Sequence, residues 1–343
     1  VRCGALGDMV LLTALIRELH ALWRCPVDIV TSGPWSEPLL RGQPGVGHID
    51  CVRSRKTPYL LAPDQWRLVR RLRRRGAAPT WFCDGGQAGK PLLLRAGIPP
   101  HHLIDVNDHR LLPGEHATEQ WRRLALLRPP AFAELLPPGA PTGLTGCTLT
   151  VSDAQRRDLA GWLAAQGLAG SPLVLVQIGN KRTMRRGPRR LAVNHKYWPL
   201  ERWAAVLRHI RARRADHRIV LIGAPAEFPL NAELARLAGI EGIHNAAADL
   251  PVPRLAALCA QAAALLTVDS GPAHVAAAVG CPQVVLFGKA SPALYRPLGV
   301  LQAPALVVTG EVDGAPSMLG IGTGAVIAAW DQLALRAAPL PGS

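Results

Sequence analysis

Residues 265–288 read LLTVDSGPAHVAAAVGCPQVVLFG, a run that looks like two buried strands joined through a polar turn and a short helix. The turn holds Asp269, Ser270, Gly271, Pro272, Ala273 and His274. Pro272 suits a first helical turn. The unpaired N–H groups and the dipole at such a helix start make an anion site that suits a diphosphate, with His274 within reach to donate to a phosphate oxygen. The plainer reading is a buried histidine satisfied by backbone, with Asp269 as a cap.

The same alternation of short apolar runs and helical patterns extends outward in both directions, which marks parallel βαβ units and an α/β fold class. Upstream of the turn come strand PLVLVQIG (172–179), helix 200–214, strand HRIVLIG (217–223), helix 227–238 and helix 253–263. Helix 153–165 is announced by a capping box of Ser152 with Gln155. The first half repeats the theme: a helix over 8–22, strand PVDIVTS (26–32), strand GHIDCVR (47–53), helix 64–75, strand PTWFCD (79–84), a helix after Gly86, strand HLIDV (102–106) and helix 115–127. Between the halves, residues 127–152 are rich in Pro and Gly without periodicity and read as a linker. Two domains follow, residues 1–150 and 151–343, a division that the length of 343 residues also supports. Ligands of open α/β sheets sit at the carboxyl ends of strands, so two such domains facing each other would make a cleft fed by loops from both.

Composition limits the function classes. Hydrophobic residues make up 49% and charged ones 18%, too apolar for a disordered chain, while no apolar run reaches the length of a membrane span. Seven scattered cysteines without a Cys-x-x-Cys pair imply neither zinc nor a disulfide framework, and no signal peptide opens the chain, so a cytoplasmic location is expected. The formal charge of +15 points to anionic partners, although part of the arginine excess is equally well a compositional bias. Nucleic acid is an alternative partner, but no recognised nucleic-acid module or stacking-aromatic pattern is present.

Three further stretches carry chemistry. In GALGDMVLLTALIRELH (4–20), Gly7 and Asp8 stand where a turn opens an amphipathic helix, so Asp8 either accepts a proton from a ligand or caps the helix. In GNKRTMRRGPRRLAVNHKYWPLERW (179–203), six Lys or Arg fall within 181–190, and Lys196 precedes Trp198-Pro199 at a helix start that would hold it as a fixed positive charge for phosphate. The arginine-rich part reads as a solvated loop or as a lid over phosphates. In LIGAPAEFPLNAEL (221–234), Glu227 follows a strand end, where a carboxylate can accept from ribose hydroxyls; an ordinary surface glutamate in a first helical turn fits as well.

Taken together, GALGDMVLLTAL, NHKYWPLERWAAV, GAPAE and VDSGPAHVAAAVGCPQVVLFG resemble glycosyltransferase family 9, the lipopolysaccharide heptosyltransferases, in order and spacing over nearly the whole chain. The resemblance implies a GT-B fold: two Rossmann-like domains with mainly parallel sheets facing across a cleft, the first binding acceptor and the second nucleotide-sugar. It implies inversion at the anomeric carbon, with Asp8 as catalytic base, Lys196 neutralising the departing diphosphate, Glu227 on the ribose, and the 269–274 turn on the diphosphate. The implied donor is a nucleotide-sugar, ADP-heptose above all, and the acceptor a glycan or lipid-linked core. No cofactor is expected, and no metal, since the chain has no Asp-x-Asp triplet and its lysine and helix start can carry the charge. Two departures stand out. Only three residues precede Gly4, so the strand presenting the Leu-Gly-Asp turn is short, and the segment before Lys196, with Arg185, Arg186, Arg189 and Arg190, is longer and more basic than the family pattern.

Acceptor residues transfer less well. Arg53, Arg55 and Lys56 follow a strand and suit an acidic acceptor, or are plain surface charge. Helix 64–75, with a basic face and apolar Trp66, Leu68, Val69 and Leu72, offers peripheral contact with an anionic inner-membrane surface, against the plainer reading of a surface helix. The alternatives in function are a GT-B transferase with another donor, or a small-molecule or protein acceptor, and a catalytically silent nucleotide-sugar binder, for which Asp8 would have no use.

Overall fold

The apolar runs of the second half form one sheet because they are buried on both faces, and parallel strands need helices to cover those faces. The computed structural model describes residues 1–55, 57–180 and 194–336. The chain divides into two compact units, Val1–Cys147 and Thr148–Ser343.

In the C-terminal unit, β5 (Leu173–Gln177), β6 (Arg218–Leu221), β7 (Ile243–Asn245), β8 (Ala264–Val268), β9 (Gln283–Phe287) and β10 (Ala305–Thr309) make a six-stranded parallel sheet in the order β10-β9-β8-β5-β6-β7. Helices Asp153–Ala165, Val252–Gln261 and Gly271–Ala278 pack in one layer, and helices Leu200–Arg213, Phe228–Ala238 and Thr323–Gln332 in another. The chain runs outward from β5 to β7 and then returns to β8 on the other side of β5, so strand order reverses between β5 and β8. Crevices at the carboxyl ends of strands flanking such a reversal are where open α/β sheets hold ligands. The core that fixes this edge includes Val174, Val176, Leu266, Val268, Trp198 and Trp203. The Ser152–Gln155 capping box forms as expected.

The N-terminal unit pairs β1 (Val27–Thr31) with β2 (Val46–Cys51) and β3 (Thr80–Phe82) with β4 (Leu103–Asp105), all parallel. The first residues join the two pairs. Arg2 N donates to Val30 O at 2.9 Å and Cys83 N to Val1 O at 2.8 Å, while the terminal ammonium donates to Trp81 O at 2.7 Å. Residues 1–3 therefore act as a short strand between β1 and β3, with the Leu-Gly-Asp turn at its carboxyl end. Beside them an apolar cavity of about 250 Å³ is lined by Leu12, Leu15, Leu19, Trp23 and Leu72, among others.

The observed elements differ from the sequence reading in a few places. The helix expected over 8–22 is two, Leu6–Leu11 and Thr13–Trp23, and it starts two residues earlier. Short β7 and the edge strand β10 are additional to those read from the sequence. Leu68 and Val69, among the residues offered above for membrane contact as the alternative to a plain surface helix, are core residues at 1% and 3% exposure. Among the described residues no helix is long and apolar enough to cross a membrane.

Candidate functional site

In the C-terminal unit the polar residues of the turn after β8 meet Lys196. Trp198 fixes that lysine's segment: its ring is 1% exposed, stacks edge-on against Trp203 with centroids 5.0 Å apart, and its Nε1 donates to Ile321 O at 3.0 Å. Pro199 is the N-cap of helix Leu200–Arg213. The backbone of the segment lies against Gly288, just past β9, where a Cβ would overlap His195 O. So anchored, Lys196 donates through Nζ to Asp269 O at 2.6 Å and to Asp269 Oδ2 at 2.7 Å. Asp269 is thus the lysine's partner rather than a helix cap. An ammonium has three donors, and Asp269 takes two, which leaves one for an incoming anion.

Helix Gly271–Ala278 begins beside this pair. Its first-turn N–H groups have no intrahelical carbonyl, and the positive end of its dipole favours an anion there. Pro272 lies in the first turn, Ala273 and His274 are buried, and Ser270 is the N-cap residue but makes no side-chain cap. The Ser270 hydroxyl instead donates to Gln177 Oε1 at 2.5 Å, as does Thr267 Oγ1 at 3.0 Å, while Gln177 Nε2 donates to Gly179 O at 3.1 Å. This buried network ties the ends of β5 and β8 across the strand-order reversal.

Glu227 closes the other side. It ends the 3-10 turn Pro225–Glu227, ahead of the helix in which the sequence reading placed it. The side chain is 6% exposed; Oε2 accepts from Ala224 N at 2.7 Å, while Oε1 is buried without a hydrogen-bond partner among the described residues. Burial pushes its carboxyl above the ordinary value, only partly countered by the Ala224 N–H. Room for it comes from Gly179 and Gly223: a Cβ at 179 would overlap Oε1, and one at 223 would press on the side chain. A buried carboxylate oxygen with nothing to accept from is costly unless a ligand supplies donors.

In the N-terminal unit Asp8 sits at the third position of helix Leu6–Leu11, not at its cap. Its Oδ2 accepts from Ala5 N at 2.8 Å and its Oδ1 pairs with Arg2 at 2.8 Å, with the side chain 39% exposed. Gly4 makes that fold-back possible, since a Cβ there would strike the Asp8 side chain. Capping and proton acceptance are therefore compatible: the carboxylate caps and still faces solvent. Gly7 is buried within the helix. Other strand ends of this unit add Asp84, whose Oδ1 accepts from Cys3 N at 2.6 Å and whose Oδ2 lies 3.7 Å from Arg55. Lys90 pairs with Asp105. Burial alone would raise the Asp105 carboxyl, but hydrogen bonds from Lys90 and Asn107 outweigh it and hold it low. Arg53 is exposed; Lys56 and the arginine-rich stretch 181–190 lie outside the described residues.

The structure thus brings Lys196, Asp269, Ser270, Gly271, Pro272, Ala273 and His274 together, and gives Asp8, Gly7 and Arg53 places in the N-terminal unit. Reading the sequence missed Gln177, Gly179 and the Asp84–Arg55 and Lys90–Asp105 pairs. Gln177 had a signal, a lone amide at the end of an otherwise apolar strand; the ion pairs had none.

Residues 187–311 match the family model of glycosyltransferase family 9 (heptosyltransferase). A segment of 104 residues is 33% identical to lipopolysaccharide heptosyltransferase 3 of Escherichia coli, and the match spans 30% of this chain and 30% of that relative's length. Among solved structures, ADP-heptose lipopolysaccharide heptosyltransferase II of E. coli is similar with a TM-score of 0.71 at 21% identity, over 96% of both chains. A family 9 glycosyltransferase from Veillonella parvula gives 0.73 at 18% identity over 96% and 94% of the two chains. The E. coli heptosyltransferase WaaC with ADP gives 0.64 at 18% over 96% and 97%. The fold is the GT-B class of these proteins.

Proposed function

Taking residues 187–311 as a glycosyltransferase family 9 domain on a GT-B framework, we propose that the chain is an inverting, metal-independent transferase that moves a heptose from ADP-heptose onto a glycan or lipid-linked acceptor such as lipopolysaccharide core. The observation that carries the reading is Glu227, a 6%-exposed carboxylate with Oε1 open and cleared by Gly179, at the same strand edge as Lys196 and the start of helix Gly271–Ala278. A ribose diol supplies the donors that Oε1 lacks, and a diphosphate fits the charge of the lysine and helix start. ADP-heptose and ADP come from the names of the structural neighbours.

Sugar transfer passes through an oxocarbenium-like state in which negative charge grows on the diphosphate oxygen, so charge placed there beforehand lowers the barrier. The Lys196 ammonium, held by Asp269, needs no reorganisation to meet that charge. Asp8 takes the proton from the acceptor hydroxyl as it attacks the anomeric carbon, and the leaving nucleoside diphosphate departs from the opposite face. In this division the N-terminal unit serves the acceptor and the C-terminal unit the donor, and the protein works at the cytoplasmic face of a membrane that carries its acceptor.

The test is release of free ADP from ADP-heptose with a core-oligosaccharide acceptor. Asp8→Ala should cut turnover by roughly 10²–10⁴-fold while ADP still binds, and Lys196→Ala by roughly 10²-fold with weaker ADP binding. EDTA should leave the rate unchanged, and the new glycosidic bond should have the opposite anomeric configuration to the donor. Full activity in Asp8→Ala would end the base assignment, and a chelator-sensitive rate would end the metal-free one.

A further inference from the structure

The N-terminal unit carries an exposed apolar face that neither its own core nor the donor chemistry uses. The 3-10 turn Tyr59–Leu61 presents Leu60 at 77% and Leu61 at 73% exposure, beside Trp66 at 44% and Leu94 at 61%. The segments that carry them are tied together. Trp66 Nε1 donates to Tyr59 O at 2.6 Å, the Arg95 guanidinium lies over the Tyr59 ring at 4.8 Å, and Arg73 Nε donates to Arg95 O at 2.9 Å. Two adjacent leucines this exposed are not scattered surface residues, and apolar side chains clustered around a tryptophan mark an interaction face.

Charge names the partner. Helix Pro63–Arg75 buries Gln65, Leu68 and Val69 and turns Trp66, Arg67, Arg70 and Arg74 outward. Arg71 and Arg75 are matched by Asp28 and Asp50. Among the described residues, no carboxylate lies within ion-pair distance of Arg67, Arg70 or Arg74. The surface thus has leucines and a tryptophan at one end and unmatched arginines along its flank, the arrangement that seats a protein on an anionic lipid interface. Its position matters as well. The turn Tyr59–Leu61 follows the loop after β2 and leads into helix Pro63–Arg75, on the side of the carboxyl ends of the sheet whose first strand leads to Asp8.

We propose that Leu60, Leu61, Trp66 and Leu94, flanked by Arg67, Arg70 and Arg74, dock the protein on an anionic lipid surface, presenting the Asp8 edge to a membrane-embedded acceptor. The docking stands on the patch alone; the role of presenting an acceptor rests on the transferase reading. The sequence reading offered Trp66, Leu68, Val69 and Leu72 for such contact, as the alternative to a plain surface helix; Leu68 and Val69 are buried and Trp66 remains exposed.

The experiment is vesicle flotation of the full chain with equal parts phosphatidylcholine and phosphatidylglycerol, and with phosphatidylcholine alone. The protein should float with the mixed vesicles and much less with the neutral ones. Leu60→Ser/Leu61→Ser should lower partitioning roughly tenfold or more, and Arg67→Glu/Arg70→Glu by roughly tenfold or more, with thermal unfolding and ADP binding unchanged in both. Partitioning that survives either double variant, or equal flotation with neutral vesicles, overturns the proposal. Loss through the arginine pair alone, matched by equal loss of binding to duplex DNA, assigns the face to a generic polyanion and also overturns it. Because flotation needs neither donor nor acceptor, lipid binding without any ADP release would leave the docking intact and sink only the transferase reading.

Discussion

Glu227→Gln should make the protein more stable and a poorer nucleotide binder, and the two effects should part company with pH. Burial raises the Glu227 carboxyl above its ordinary 4.5, and Oε1 has no partner among the described residues. The folded state therefore holds a proton there more tightly than the unfolded chain. Across the window from 4.5 up to the raised native value the unfolded state binds fewer protons, so unfolding free energy falls as pH rises. Stability associated with the protonated group is fully present below 4.5 and lost above the native value. Glutamine does not titrate and removes that slope. Glutamine still leaves a polar group without a partner there, so what it removes is the cost of holding the buried group as an anion, about 1–3 kcal/mol. At about 2–4 °C per kcal/mol for a unit of this size, the C-terminal transition should rise by about 2–12 °C at about pH 7. The gain should shrink toward zero at about pH 4, where both side chains are neutral. ADP should bind roughly ten- to a hundredfold more weakly, because charge-assisted bonds to the ribose are lost. Calorimetric melts at both pH values, with titration of ADP, read all of this. A lower melting temperature at about pH 7, or the same shift at both pH values, would refute the account of Glu227 as a strained, ligand-awaiting carboxylate.

Gly179→Ala forces a methyl onto Glu227 Oε1, so it should weaken ADP binding at least tenfold and cost about 1–3 kcal/mol of stability, both seen in the same titrations and melts. Arg336→Ala should do the reverse in kind. That guanidinium donates to Cys259 O at 3.3 Å and Ala262 O at 3.4 Å at the end of one helix, and to Gly280 O at the end of another. Its loss should cost about 1–3 kcal/mol with ADP affinity unchanged. Iodoacetamide at about pH 8 should label exposed Cys25 within minutes and spare Cys147 and Cys281 until the chain unfolds, since burial pushes both thiols up to about 12; peptide mapping before and after denaturation reads the difference.

The sheet of the C-terminal unit was legible because its strands are apolar on both faces and bounded by Gly, Pro or Asp. Ile243–Asn245 escaped because it is three residues long, holds His244 and Asn245, and lies at an edge where burial is partial. Ala305–Thr309 carries a signal as plain as the other strands, the apolar and β-branched run ALVVT. The helix start at Leu6 was misplaced for a different reason. Asp8 is a good cap residue, but the cap position falls to Ala5 because Gly4 lets the Asp8 carboxylate fold back to Ala5 N, so the aspartate acts from the third helical position, a local arrangement that reading Asp8 as the cap itself passes over. Likewise the outward turn of Leu60 and Leu61 follows from how Pro58 and Pro63 bracket a three-residue 3-10 turn, not from helical periodicity.

The clustering of site residues at one edge has a physical cause within the sheet itself. A strand covered by helices on both faces cannot hold a polar side chain in its middle without a partner, so polar groups are confined to its ends. In β5 the only polar residue is Gln177, its last, and in β8 it is Thr267, the last but one; register sets the two opposite each other. Each then satisfies the other, and the pair recruits Ser270 from the following turn. That fixes the path of the chain from Val268 into helix Gly271–Ala278, which sets where Asp269 holds Lys196. Replacing Gln177 by Leu would leave the Thr267 and Ser270 hydroxyls without their shared acceptor and loosen the lysine's partner. The lysine and aspartate motifs were visible in the sequence as separate signals; it is the buried amide between strands that makes them a single site.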